Sequence, residues 1–178
     1  MEKNRQGLLH IYCGDGKGKT SAAVGMAVRA AGCGMKVLVI RFLKTENSGE
    51  VEVLRSIPGI TVPPCERTFG FVFRMTEEQK QEAALYYQSR FEAAAKEAVQ
   101  GQYDLLILDE ILASCNYGMV RETSVVEFLK NRPEKLEVVL TGRNPSETFL
   151  ELADYVSEIC MRRHPYEKGI PARRGIEF

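Results

Sequence analysis

The sequence has no tryptophan, only two histidines and no surplus of charge: 24 lysines and arginines balance 24 aspartates and glutamates in 178 residues. That balance removes the basic excess expected of a nucleic-acid binder and the charged runs expected of a disordered tail. The five cysteines, Cys13, Cys33, Cys65, Cys115 and Cys160, are odd in number, widely spaced and form no C-x-x-C pair. With only His10 and His164 beside them, they argue against a zinc site or a disulfide frame and fit the reduced thiols of a cytoplasmic protein. No apolar run approaches the roughly 20 residues of a membrane span. The opening MEKNRQGLLH lacks the apolar stretch of a secretory signal. A chain of this length is expected to fold as a single domain, residues 1–178, and to bury about 70% of its unfolded surface.

What is present is an alternation of short apolar runs with helical patterns. Strands are expected at Leu8–Tyr12, Lys36–Phe42, Ile60–Val62, Tyr103–Leu108, Leu136–Thr141 and Tyr155–Met161. Helices are expected at Lys19–Ala31, Ser48–Ser56, Thr76–Val99 and Thr123–Lys130. A further helix opens at Asn144-Pro145-Ser146-Glu147, read as a cap residue, a first-turn proline and a glutamate three residues on. Thr76-Glu77-Glu78-Gln79 reads as a capping box. Runs such as LLILD and VLVI are apolar on both sides, as strands covered on both faces are. The pattern predicts an α/β fold, three-layered and P-loop NTPase-like (RecA-like), with a mostly parallel sheet and helices on both faces. Such sheets bind ligands at the carboxyl ends of their strands.

The stretch IYCGDGKGKTSAA sits at one such end. It supplies the second half of a phosphate-binding G-x-x-x-x-G-K-[ST] pattern as Gly18-Lys19-Thr20, between a strand and a helix. The first glycine of the pattern falls on Cys13, and Gly14 follows one residue late. Gly14, Gly16 and Gly18 can still take positive φ and turn successive N–H groups inward as an anion nest. The helix N-terminus adds partial positive charge. Gly14, Asp15, Gly16, Lys17, Gly18, Lys19, Thr20 and Ser21 are therefore the candidate ATP-binding residues. Lys19 would reach the phosphates, and the Thr20 hydroxyl would ligate Mg²⁺. The bland alternative is a glycine turn with solvated lysines.

A metal partner is expected at the end of a later strand. Asp104–Glu110, DLLILDE, delivers two carboxylates there. If the strand continues, Asp109 and Glu110 point in opposite directions, one to Mg²⁺ or its water and one to neighbouring backbone. An acidic helix cap is the alternative. Thr141-Gly142-Arg143 ends another strand in the same way. Arg143 there meets either a phosphate or a surface carboxylate.

Beyond a nucleoside triphosphate, the residues resemble the P-loop type ATP:corrinoid adenosyltransferases of cobalamin synthesis and salvage. The resemblance runs from Leu8 to Phe178. It rests on GDGKGKTSAA with its displaced glycine, on LDE, on TGRNPSETFLELADYVSEI and on RRHPYEKGIPARRGIEF. It implies that a Co(I) corrinoid attacks the 5′ carbon of ATP, forms a cobalt–carbon bond and releases triphosphate. It further implies that the nucleotide lies reversed in the loop, with its γ-phosphate where relatives of other chemistry hold an inner phosphate. Carried over by position, Thr20 and Glu110 match the Mg²⁺ ligands, with Asp109 behind them, and Lys19 and Glu110 are the residues central to catalysis. An electron-donating flavoprotein or flavin reductant and a homodimer are also implied. The competing readings are a phosphoryl-transferring nucleoside kinase, which would release ADP, and a nucleotide-dependent switch or binding module.

The family crowds the lower axial cobalt ligand away with aromatics. Gly70-Phe71-Val72-Phe73 matches its glycine–aromatic–x–aromatic segment, which makes Phe71 and Phe73 the corrinoid-binding candidates; an ordinary strand face is the alternative. The second place, a tryptophan in a well-known member, is Phe73 here, which keeps the bulk without the indole N–H. Seven residues precede Leu8, so the N-terminal cover that longer members fold over the partner's corrinoid site is expected to be shortened. Arg173 and Arg174 reach either the ligands or solvent.

Overall fold

Apolar runs too short for helices become the strands of one sheet. A computed structural model describes residues 6–70 and 72–177. Its strands are β1 (Leu9–Cys13), β2 (Val37–Arg41), β3 (Ile60–Thr61), β4 (Leu105–Asp109), β5 (Glu137–Thr141) and β6 (Tyr155–Glu158). They lie in the order β3-β2-β4-β5-β1-β6, and every pairing is parallel. The expected α/β architecture and the parallel sheet are both observed.

Alternation along the strands divides the core in two. On β4, Leu106 and Leu108 face the cluster that includes Tyr87, Phe91 and Ala94 of α3 (Glu77–Gln100), Val125 and Leu129 of α5 (Glu122–Asn131) and Phe149 of α6 (Glu147–Leu152). Leu105 and Ile107 face the other cluster, with Ala23, Ala27 and Ala30 of α1 (Lys19–Gly32) and Val51 and Leu54 of α2 (Glu50–Ser56). Helices therefore cover both faces. Each fully buried leucine contributes about 1.5–3 kcal/mol, so truncating Leu108 to alanine would cost about 2–5 kcal/mol.

Side-chain caps start two of the α-helices, α3 and α6. Thr76 caps α3 with the expected capping box, its hydroxyl accepting from the Gln79 N–H and the Gln79 side chain accepting from the Thr76 N–H. Three features differ from expectation. The cap of α6 is Ser146, whose hydroxyl accepts from Phe149 N–H; Asn144 instead takes a left-handed φ of 48°, a conformation asparagine tolerates. A short helix, α4 (Ile111–Asn116), follows β4 directly where no helix was expected. β6 stops at Glu158, and all four of its residues are exposed, because it is an edge strand. Between Pro64 and α3, the described residues form a single turn of 3₁₀ helix at Val72–Arg74 and no strand. Among the described residues, no helix is long and apolar enough to cross a membrane.

Strand register sets up the site. Tyr12 lies opposite Thr141, and Arg41 opposite Asp109. The carboxyl ends of β1, β2, β4 and β5 therefore reach one common edge, and the loops leaving these strands share it.

Candidate functional site

Three glycines shape the loop between β1 and α1. Gly14 has φ 104°, and a Cβ there would lie 2.4 Å from the Ile159 carbonyl oxygen. A Cβ on Gly16 would lie 2.6 Å from the same oxygen. Gly18, with φ 125°, caps α1. The chain after β6 is thus packed against the loop, and only glycine fits at the two close positions. Gly16 N–H donates to Ile159 O at 2.7 Å, so that donor faces protein rather than the nest expected of it. Asp15 also ties the loop down: its carboxylate accepts from Met161 N–H at 2.8 Å, and this bond holds it below the usual carboxylate range.

Lys19 folds back over the loop. Its Nζ donates to Gly16 O at 2.8 Å, and the residue is buried. Burial pushes its pKa below the ordinary lysine range, with Glu110 pulling the other way. Lys17 and Ser21 are exposed. Arg143 extends from the end of β5 so that Nη2 donates to the Asp15 carbonyl at 3.4 Å. Its guanidinium lies beside the loop, and its charge reaches the carboxylates of Asp15 and Glu110.

The carboxylates divide the work differently from expectation. β4 ends at Asp109, and Glu110 takes a left-handed conformation, φ 63°, as the cap of α4. The strand does not continue, so the opposed orientation expected of the pair does not arise from strand alternation. Asp109 is 2% exposed. Its Oδ1 accepts from Thr20 Oγ1 at 2.9 Å and from Thr141 Oγ1 at 2.7 Å. Its Oδ2 accepts from Lys44 Nζ in a tight ion pair. The same ammonium donates to Thr20 Oγ1 at 2.8 Å. Thr141 in turn accepts from Glu110 N–H at 2.8 Å, which fixes the turn into α4. Burial, and next the neighbouring Asp109, raises the Glu110 carboxyl above the usual range, while Lys44, Lys19 and Arg143 oppose the shift.

Lys44 and Thr141 are members of this cluster that sequence reasoning missed. Thr141 had a signal in its place at a strand end beside Gly142. Lys44 had only its position just beyond β2. Two carboxylates and a hydroxyl are a partial donor set, and among the described residues no group of three or more His, Cys, Asp or Glu could hold a metal alone. Mg²⁺ is held in this way when one or two carboxylates act together with substrate phosphates.

Beside the cluster opens a cavity of about 610 Å³ bounded by Thr20, Ser21, Lys44, Thr45, Glu50 and the chain segment Gly175–Glu177. Arg173 pairs with Glu177 at 3.0 Å. Phe73 is 79% exposed, with the Arg74 guanidinium 5.5 Å from its ring centre. Phe71 lies outside the described residues. Phe69, not singled out from the sequence, packs on Tyr86 and Tyr87.

Residues 5–178 match the family of ATP:corrinoid adenosyltransferases BtuR/CobO/CobP. The chain is 31% identical over 177 residues to a corrinoid adenosyltransferase of Pseudomonas aeruginosa, covering 99% of this chain and 86% of the relative. It is 33% identical over 178 residues to one from Sinorhizobium sp, covering 98% and 82%. It is 32% identical over 177 residues to one from Escherichia coli strain K12, covering 99% and 88%.

Proposed function

The chain belongs to the ATP:corrinoid adenosyltransferases, and from that premise we propose how its residues move the 5′-deoxyadenosyl group of ATP onto the Co(I) centre of a corrinoid. The observation that carries the reading is the meeting of Lys19, Thr20, Asp109 and Glu110 at one sheet edge, with Thr20 Oγ1 2.9 Å from Asp109 Oδ1. Triphosphate is the leaving group. Cobalt forms a bond to C5′ as the C5′–O bond breaks, and the electron pair leaves on the α-phosphate oxygen.

This chain's part is to hold the polyanion and receive that charge. The loop from Gly14 to Ser21 binds the triphosphate through its free amides and the α1 N-terminus. Lys19 leaves the Gly16 carbonyl for a phosphate oxygen, a move favoured because its buried ammonium has little solvent to lose. Arg143 and Lys17 add charge at the loop's rim. Thr20 and Glu110 hold Mg²⁺, and Asp109 orients Thr20 through their hydrogen bond. When bound, the cation neutralises the leaving triphosphate. The adjoining cavity has room for the nucleoside. No general base is required, since Co(I) is itself the nucleophile.

Phe73 is assigned to the corrinoid, and Phe71, which lies outside the described residues, is assigned with it from the sequence alone. An exposed phenylalanine is a large apolar surface left facing solvent, and a corrinoid face would cover it. The same reading takes the protein to be one domain, working as a cytoplasmic homodimer that receives electrons from a flavoprotein or a reduced flavin. The test is to incubate it with ATP, Mg²⁺ and chemically reduced corrinoid and to identify both products. Adenosylated corrinoid and triphosphate are expected. ADP, or orthophosphate alone, would overturn the reading.

A further inference from the structure

In most sites of this construction the hydroxyl after the loop lysine and the carboxylate at the neighbouring strand end face a divalent ion. Here a side chain already bridges them. Lys44 Nζ lies 2.8 Å from Thr20 Oγ1 and pairs with Asp109 Oδ2. Its charge is also felt at Glu110. The ammonium is therefore bonded to Thr20, one of the two residues assigned to the metal, and to Asp109, which orients it.

Its placement is built. Leu43, the residue before it, holds φ 54°, a left-handed backbone that a leucine adopts only under constraint. Ahead of that, Phe42 N–H donates to Asp109 O at 2.9 Å, so the chain leaving β2 is fastened to β4. Lys44 is only partly buried, with a side chain 20% exposed, and it also lines the cavity beside the loop. The ammonium can turn from the carboxylate to the cavity while its backbone stays in place.

We infer that Lys44 is a tethered cation that occupies the metal position until nucleotide and metal arrive together, and then turns toward the cavity. A lone divalent ion must displace an ammonium that is covalently attached at high local concentration. Metal together with a triphosphate brings new ligands for itself and a new anionic partner for Lys44. The device makes the site selective for the metal–nucleotide complex over the metal alone. It rests on the assignment of Thr20 and its neighbours as metal-holding residues.

The test is a titration of the whole protein with Mn²⁺ in the absence of nucleotide, read by the loss of the free Mn²⁺ electron-paramagnetic signal. Lys44→Met should tighten Mn²⁺ binding about tenfold, whereas Lys44→Arg, which retains a cation, should leave it as weak as in the parent. Adding Asp109→Asn to Lys44→Met should abolish the gain, which places the ion at this cluster. Equal Mn²⁺ affinity in the parent and Lys44→Met would overturn the inference, as would an equal gain in Lys44→Arg. Because the titration contains no corrinoid, its failure alongside normal adenosyl transfer would remove the role of Lys44 and leave the enzyme reading intact. Tightened Mn²⁺ binding without adenosyl transfer would do the reverse.

Discussion

Thr20 on the first turn of α1 donates to Asp109 at the end of β4 across 2.9 Å, although β5 separates β4 from the strand that leads into α1. The link depends on α1 crossing over the sheet toward β4. Replacing Thr20 by valine keeps the volume and removes the hydroxyl. Adenosyl transfer should fall about 100-fold, in line with losing a metal ligand or its orienting partner. Asp109 retains Thr141 and Lys44, so stability should fall by only about 1 kcal/mol. Steady-state kinetics together with thermal melts would check both.

Lys19→Met should lower kcat/KM by about 10²–10³-fold, as for other deletions of a group that meets developing charge, without lowering the melting temperature at pH 7. The sign follows from burial, which puts the folded pKa of Lys19 below its unfolded value. Between the two the unfolded chain holds more protons, so the parent gains stability as pH rises through that window, up to about 10.4. The variant lacks this gain. Melting curves of both proteins from pH 7 to 10 should move in the parent's favour; parallel curves would refute the assigned effect of burial.

Glu110 carries two penalties in the free protein, a left-handed backbone and a carboxyl whose pKa is raised chiefly by burial. Raising the folded pKa means that the unfolded chain releases its proton first, from about pH 4.3 upward. Stability is therefore lost as pH rises through the window between the unfolded and folded values. Glu110→Gln should be more stable than the parent at pH 8, with the difference vanishing toward pH 4. Glu110→Gly should gain about 1 kcal/mol from the backbone as well. Both should lose adenosyl transfer. A variant at this position that melts lower at pH 8 would contradict the reading.

Phe73→Ala should leave the melting temperature nearly unchanged, within about 0.5 kcal/mol, because the ring is exposed. Its turnover should suffer more when Co(II) corrinoid must be reduced on the enzyme than when Co(I) is supplied. Equal losses in the two assays would count against a role in displacing the axial ligand.

Local signals in the sequence reach far in this chain. Short apolar runs and period-3.6 patterns locate the strands and the longer helices, and Thr76 with Gln79 marks the start of α3 because a capping box spans only four residues. The loop glycines are legible for the same reason, although their physical cause, the Ile159 carbonyl 2.4 Å and 2.6 Å from the absent Cβ atoms, is a contact across most of the chain. What stays hidden is non-local. Lys44 lies in an unpatterned segment, and nothing near it in sequence announces Asp109. α4 is six residues long and starts at a left-handed glutamate, so it shows neither a cap nor a full amphipathic period. Asn144 and Ser146 both suit a cap, and only the backbone angles decide between them.

Gly16 and Asp15 are both held by main-chain atoms at Ile159 and Met161, beyond the last strand of the sheet. During synthesis on the ribosome, β1 and its loop emerge before the other strands, yet their backstop emerges only after all of them. A nascent chain halted before these residues would carry the full motif and still lack the contacts that hold its loop, so the loop is completed only once translation has passed them.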